Sequence, residues 1–239
     1  LKIKFASYNM HKGVGLDRRR DPDRIISVLR EINADVIALQ EADMRLGDRA
    51  SVLSRAALDD THWRPADVGK RPRSLGWHGN AILVRRDFEI LDAQPLDLPT
   101  LEPRGAARVD IGINGHRVRI IGTHLDLSGL RRRDQAKAIL AHLDDCGEAC
   151  PTVIMGDFNQ WGVRGGAMQE FGDGWNTLPT GRTFPSRQPV ARLDRIITSL
   201  EWDMVEHGVH HSALSAQASD HLPLWAELSM PKLKAVLKK

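Results

Sequence analysis

Ile3-Lys4-Phe5-Ala6-Ser7-Tyr8, then Asp21-Pro22 running on to Ile32, then Asp35-Val36-Ile37-Ala38-Leu39-Gln40 are the stretches that decide the fold. The first reads as a strand. In the second, Asp21 is an N-cap and Pro22 takes the first helical position, where its missing N–H costs nothing. Ile25, Ile26, Leu29 and Ile32 then recur at helical spacing. The third is a short apolar run with β-branched members, the mark of a buried strand. Strand, helix and strand within forty residues indicate an α/β protein.

The rest of the chain extends this pattern. A helix is expected around Val52 to Leu58, and strands at Asn80 to Val84, Ala107 to Ile113 and Arg117 to Thr123. Asn114-Gly115 between the last two reads as a hairpin turn, because both residues tolerate positive φ. Gly129 to Leu143 reads as a long helix with Leu130, Ile139, Leu140 and Leu143 near one face, stopped before Pro151. Further strands fit Thr152 to Met155, Leu193 to Thr198, Trp202 to Val209 and Leu224 to Leu228. About ten strands with hairpins among them favour two packed sheets flanked by helices over one doubly wound sheet. With no repeat and no long linker, residues 1–230 are expected to form a single domain.

Composition excludes several classes. The 239 residues are 41% hydrophobic and 27% charged, which is globular rather than disordered. No apolar run approaches the roughly 18 residues of a membrane span. Leu1-Lys2-Ile3-Lys4 is strand-like and holds no signal-peptide core, so a cytoplasmic location is expected, with secretion and peripheral membrane attachment left open. Net charge is +3, a mild bias toward anionic partners. Residues 231–239, Pro-Lys-Leu-Lys-Ala-Val-Leu-Lys-Lys, form a basic tail that reads as a frayed end or as a contact with an anionic membrane or nucleic acid. Cys146 and Cys150 are too few for a disulfide framework or a four-cysteine zinc site. A monomer is expected.

Chemistry gathers at the strand ends. The first strand ends at Asn9 and His11, and the second at Gln40-Glu41. Another segment carries His78 and Asn80. Others end in Thr123-His124-Leu125-Asp126 and Gly156-Asp157-Phe158-Asn159, and two late segments carry Leu193-Asp194-Arg195 and Ser219-Asp220-His221. Glu41, Asp157, Asp220, Asn9 and Asn159 are oxygen donors, which suit Mg²⁺, Mn²⁺ or Ca²⁺. His124 and His221 can move protons near neutral pH. Asp194 can hold a histidine in one tautomer. A divalent ion, a carboxylate beside a water and two histidines form a set suited to phosphoester hydrolysis. Taken singly, Asp157 could be a helix cap, and His11 and His78 turn residues. His62, His116, His142, His207, His210 and His211 read as structural, with His210-His211 a weak metal candidate.

In order, Tyr8-Asn9, Leu39-Gln40-Glu41, Gly79-Asn80-Ala81, Thr123-His124-Leu125, Gly156-Asp157-Phe158-Asn159, Leu193-Asp194-Arg195-Ile196 and Ser219-Asp220-His221 resemble the motifs of the endonuclease/exonuclease/phosphatase (DNase I-like) superfamily. Tyr8 to Gly13 and Glu102 to Ala106 look like a bacterial metal-dependent hydrolase subgroup. The resemblance implies a four-layer α/β/β/α sandwich with its site at one rim, and Mg²⁺ as cofactor with Mn²⁺ able to substitute. It implies that Glu41 binds the metal beside Asn9, with Asp220 supporting a metal or the His221 loop. It implies that Asp157 orients or deprotonates water, that Asn159 helps hold water and phosphate, and that His221, paired with Asp194, meets the scissile phosphate or carries a proton. His124 would bind phosphate or protonate the leaving oxygen.

Asn80, Arg104 and His11 are the candidate substrate contacts. Arg104 reads either as a bidentate phosphate ligand or as an ion-pair partner of Glu102. Arg131, Arg132 and Arg133 oppose the dipole at a helix start, which suits an anion or simply a solvated face. Trp77 and Trp161 flank site motifs and read as packing or as substrate contacts. Abasic-site endonucleases usually carry an acidic or amide residue where His11 stands and a tyrosine where His124 stands, so this chain departs from them. The expected function is Mg²⁺-dependent hydrolysis of a small or lipid-linked phosphoester. A nuclease of the same fold is the alternative, and a silent binding module the alternative of another class.

Overall fold

The buried strands alternate their side chains between two apolar layers, and that alternation builds the architecture. In a computed structural model, which describes residues 1–230 except 101, 148 and 163, β1 (Lys2–Asn9) lies parallel to β2 (Val36–Gln40). Phe5, Val36 and Ala38 point toward a second sheet, while Tyr8, Ile37 and Leu39 point the other way, toward α1 (Pro22–Ile32). Both faces of these strands are covered, which is why they read as continuous apolar runs. Asp21 caps α1 by accepting a hydrogen bond from the Arg24 amide at 3.0 Å, and Asn33 ends the helix in the left-handed conformation.

The remaining strands are β3 (Trp63–Pro65), β4 (Ala81–Arg85), β5 (Glu89–Leu96), β6 (Gly105–Ile113), β7 (His116–His124), β8 (Thr152–Asp157), β9 (Trp175–Thr177), β10 (Asp194–Ser199), β11 (Asp203–Val209) and β12 (Leu224–Ser229). They form two six-stranded mixed sheets, in the orders β11-β12-β1-β2-β4-β3 and β5-β6-β7-β8-β10-β9. Residues such as Phe5, Ile82, Val109, Ile120 and Met155 fill the layer between the sheets. Below the second sheet, Ile121, Ile154 and Ile197 pack on Ala136 and Ile139 of α3 (Gly129–Asp145) and on Phe158. Helix, sheet, sheet and helix are thus stacked on three apolar layers, as expected for the DNase I-like fold.

Several details differ from the sequence expectations. Among the described residues, twelve strands form rather than about ten. The helix expected from Val52 begins only at Arg55, giving α2 (Arg55–Asp59), because Ser54 caps it through the Ala57 amide at 3.0 Å. Leu130 does not join the apolar face of α3: it is 78% exposed, and the helix buries Gln135, Ala136 and Ile139 instead. The basic tail at 231–239 falls outside the described residues. Among the described residues, no helix is long and apolar enough to cross a membrane.

One feature of the topology positions the site. Each sheet has a central parallel pair, and their registers align Asn9 with Gln40 and His124 with Asp157. Antiparallel pairing then sets Asp194 beside Asp157. Gly156 permits the close approach of β8 to β7, since a Cβ there would stand 1.8 Å from the Thr123 carbonyl oxygen.

Candidate active site

Asp157, at the end of β8, is the point where both sheets meet. Its carboxylate is buried and accepts from Asn9 Nδ2 at 3.0 Å, across the inter-sheet layer, and from the Asn159 amide at 2.9 Å. His124 Nε2 stands 3.3 Å from Asp157 Oδ2, and His221 Nε2 stands 3.7 Å from the same oxygen. Burial alone would raise the Asp157 carboxyl. The two imidazoles and the Asn159 amide outweigh it and hold the group far below the usual carboxylate range, so it is ionised.

His221 is buried and oriented from behind. Its Nδ1 hydrogen-bonds Asp194 Oδ2 at 2.9 Å, and that oxygen also accepts from the Thr183 hydroxyl. Ser219 fixes the loop, donating to the Asn9 carbonyl at 2.7 Å while its oxygen accepts the His221 amide at 3.2 Å. Burial would lower His221, but the Asp194 carboxylate overcomes it, and the imidazole is pushed up to about 10. Asp157, Asp194 and His221 each bring one ligand atom within 4.8 Å of the others, a spacing that one cation could span.

Glu41 follows β2 in a left-handed conformation, φ 54, with its side chain 22% exposed at the mouth of a cleft. Lys12 Nζ rests on its carboxylate, so this carboxylate already faces a cation. Burial raises the Glu41 carboxyl, yet His124 and Lys12 bring it below its ordinary value. Asn9 Oδ1 accepts the His11 amide at 3.1 Å, and Asp220 lies beside His11, with Oδ1 3.8 Å from Nδ1. Oxygen donors gathered around one rim have the chemistry a hard divalent cation requires.

The other candidates divide. Asn159 donates Nδ2 to the Leu125 carbonyl at 2.9 Å and ties its loop to β7. Arg104 points into the site: its Nη1 meets His124 Nε2, while its Nε is 3.7 Å from Glu102. The ion-pair reading of Arg104 is met by Glu102, and its guanidinium also faces His124 in the cleft. Asn80 Nδ2 donates to the Trp77 and Gly105 carbonyls at 3.2 and 3.0 Å, joining the two sheets. His11 Nδ1 contacts the Val14 carbonyl at 3.0 Å. Arg132 is spent on the Gln160 side chain and on the Asp126 and Leu127 carbonyls, and Arg133 pairs with Glu170. Arg132 and Arg133 thus bond within the protein. His210 pairs with Glu31 at 2.7 Å. Trp77 lies under Lys70, and Trp161 is 65% exposed.

Sequence reasoning passed over Lys12, Thr183 and Ser219 as individual contributors. Ser219 and Lys12 lie inside quoted motifs, so their neighbours were the available signal. Thr183 lies in an irregular stretch, where nothing in the sequence marks it.

A family profile described as "Endonuclease/Exonuclease/phosphatase family" matches residues 6–221. The uncharacterized protein YbhP of Escherichia coli strain K12 is 25% identical over 255 aligned residues, covering 95% of this chain and 96% of that protein. An endonuclease/exonuclease/phosphatase from Bacteroides vulgatus superposes with a TM-score of 0.76 at 18% identity, covering 97% of this chain and 100% of that one. A mannosyl-6-phosphatase of Bacteroides thetaiotaomicron VPI-5482 superposes with a TM-score of 0.73 at 18% identity, over 95% of this chain and 100% of that one.

Proposed function

The chain belongs to the endonuclease/exonuclease/phosphatase family, and from that premise we propose that it is a divalent-cation-dependent hydrolase of small phosphoesters. The observation that carries the proposal is the ionised, buried Asp157 carboxylate, approached by Asn9 from the end of β1, His124 from the end of β7, His221 from the loop before β12 and the Asn159 amide of its own loop.

Asp157 orients the attacking water. Its depressed acidity makes it a weak base and a strong acceptor, so its main contribution is alignment of the nucleophile. His221, kept protonated by Asp194, presents Nε2 to the same space and stabilises negative charge developing on the phosphoryl group. His124 and Arg104 bind the phosphate from the other side, a guanidinium and an imidazole side by side. Asn159 holds the loop that carries the water, and Asn80 holds the two sheets in register beneath the cleft. Glu41, with Asn9 and Asp220, would hold Mg²⁺ or Mn²⁺, and such an ion supplies charge neutralisation at the phosphoryl oxygens. His11 braces Asn9 and Asp220.

The test is turnover of a panel by purified protein with Mg²⁺, Mn²⁺ or chelator: glycerophosphodiesters, inositol phosphates, sphingomyelin, abasic duplex and plasmid DNA. Hydrolysis of a small phosphoester, lost on chelation and reduced about 10²–10⁴-fold in Asp157→Asn, is the expected result. Plasmid nicking alone would turn the assignment to a nuclease. Absence of turnover on every substrate, or full activity in Asp157→Asn, would overturn it.

A further inference from the structure

A cleft opens from His124 and Glu41 toward the loop after β2, and is lined by Lys12, Arg45, Arg49, His78 and Arg104 among others. Its carboxylates are committed. Asp43 accepts from the Leu75 and Gly76 amides and the Ser74 hydroxyl, at 2.7 to 3.0 Å. Glu102 is shared by Arg45 at 3.1 Å and Arg104 at 3.7 Å, and Glu41 meets Lys12. Arg49 has no carboxylate partner among the described residues. Its Nη1 instead lies 2.7 Å from His78 Nδ1.

The same arrangement therefore occurs twice in one cleft. Arg104 meets His124 beside Asp157, and Arg49 meets His78 farther along the wall. A guanidinium never deprotonates, so an imidazole beside it has only its lone pair to offer. Such a pair is underused unless an anion arrives, because the planar fork is shaped for a bidentate oxyanion. Burial and the Arg49 charge keep His78 low, which favours its neutral form in the absence of an anion. The backbone supports the second pair at a cost, since both Arg49 and His78 sit at positive φ, 49 and 50, where bulky side chains are disfavoured.

We infer that Arg49 and His78 form a second anion subsite, so that the preferred substrate is a small phosphoester carrying a further phosphate or carboxylate group. The inference rests on the proposed phosphoesterase reading, with Arg104 and His124 taking the scissile phosphate. Arg45 contributes charge at the rim, shared with Glu102.

Calorimetry on chelator-treated protein at fixed ionic strength tests this independently of turnover. Pyrophosphate should bind at least about tenfold more tightly than orthophosphate, and the preference should shrink to about twofold or less in Arg49→Gln. Arg49→Lys should recover part of it, since charge returns without the fork. Thermal unfolding of both variants verifies that they fold. The kinetic arm compares kcat/KM for fructose 1,6-bisphosphate against fructose 6-phosphate, and for a tetranucleotide against both. A bisphosphate preference that collapses in Arg49→Gln supports the subsite. Equal binding of the two anions by the wild type, or a preference that survives Arg49→Gln, overturns it. A tetranucleotide preferred over the bisphosphate overturns the small-molecule assignment. Absence of all turnover refutes the hydrolase reading, and the calorimetric preference still decides the subsite.

Discussion

Asp194→Asn isolates the electrostatic device behind His221. In the wild type the imidazole rises from an ordinary 6.5 to about 10, and Asp194 is the main charge that lifts it against burial. That rise corresponds to about 5 kcal/mol of preference for the imidazolium, as an order of magnitude. Both side chains are buried, at 7% and 0% exposure, so solvent screens little of it. The asparagine keeps the shape and can still bond His221 and Thr183, but the charge is gone. Burial then acts against Asp157 and Asp220 alone, and His221 should titrate at least about two pH units lower. The folded value lies above the unfolded one, so its contribution to stability is complete below about pH 6.5 and is lost as pH climbs toward 10. The wild type should therefore exceed the variant in Tm most at pH 6, with the gap closing above pH 10. Histidine Cε1–H resonances of chelator-treated protein, with His221→Gln for assignment, read the titration directly. A wild-type His221 that titrates near 6.5, or an Asp194→Asn resonance that does not move, would refute the reasoning.

Gly156→Ala should cost about 3 kcal/mol, because its Cβ meets the Thr123 carbonyl oxygen and neither backbone can retreat without breaking the β7–β8 register; a Tm within about 2 °C of wild type would contradict this. Asp110 is fully buried between Arg119 at 2.9 Å and Arg117 at 2.7 Å, so Asp110→Asn should lose about 3–5 kcal/mol in urea unfolding at pH 7. Burial opposes ionisation there, but the arginines hold the Asp110 carboxyl below its ordinary 3.8. Its contribution is present above that pH and lost as pH falls through the lower folded value, so the gap between wild type and variant should narrow in acid. A gap that is flat with pH would show that the ion pairs are not its source.

The buried frame was legible because it depends on period. β1, β2, α1 and the β6–β7 hairpin carry apolar residues at spacings that only one secondary structure satisfies. Asn114 and Gly115 adopt positive φ, as the hairpin reading requires. The edges were not legible. β5 contains Pro95 and a bulge between Ile90 and Asp92, and both break the alternation that marks a strand. β3 and β9 are three residues each, too short for any pattern. The site divides in the same way. Asn9, Glu41, His124 and Asp157 end or follow strands that are themselves readable, and Asp194 and His221 open or precede such strands, so their convergence could be anticipated. Arg49 and Thr183 come from irregular segments, whose paths depend on packing that one-dimensional spacing does not encode.

The backbone around the cleft gives an independent argument that its side chains are there for chemistry. His11, Lys12, Glu41, Arg49, His78 and Asn159 all have φ between 46 and 54. Glycine would adopt that conformation without steric cost, whereas a residue with a Cβ loses about 1 kcal/mol or more at most such positions. Three of the six, His11, Glu41 and Asn159, stand within two residues of a strand end in the centre of a sheet, where the chain must turn sharply to leave the layer. A turn built for stability alone would place glycine there, as Gly79 does beside Glu41. A carboxylate, an ammonium, a guanidinium and two imidazoles held at such positions support a requirement for the groups themselves, although Arg18, Asn33 and Asn114 adopt the same conformation in turns and at a helix end. Lys12, Glu41, Arg49 and His78 line one cleft with Arg104 and His124, so the proposed second anion subsite shares its walls with the proposed reaction centre.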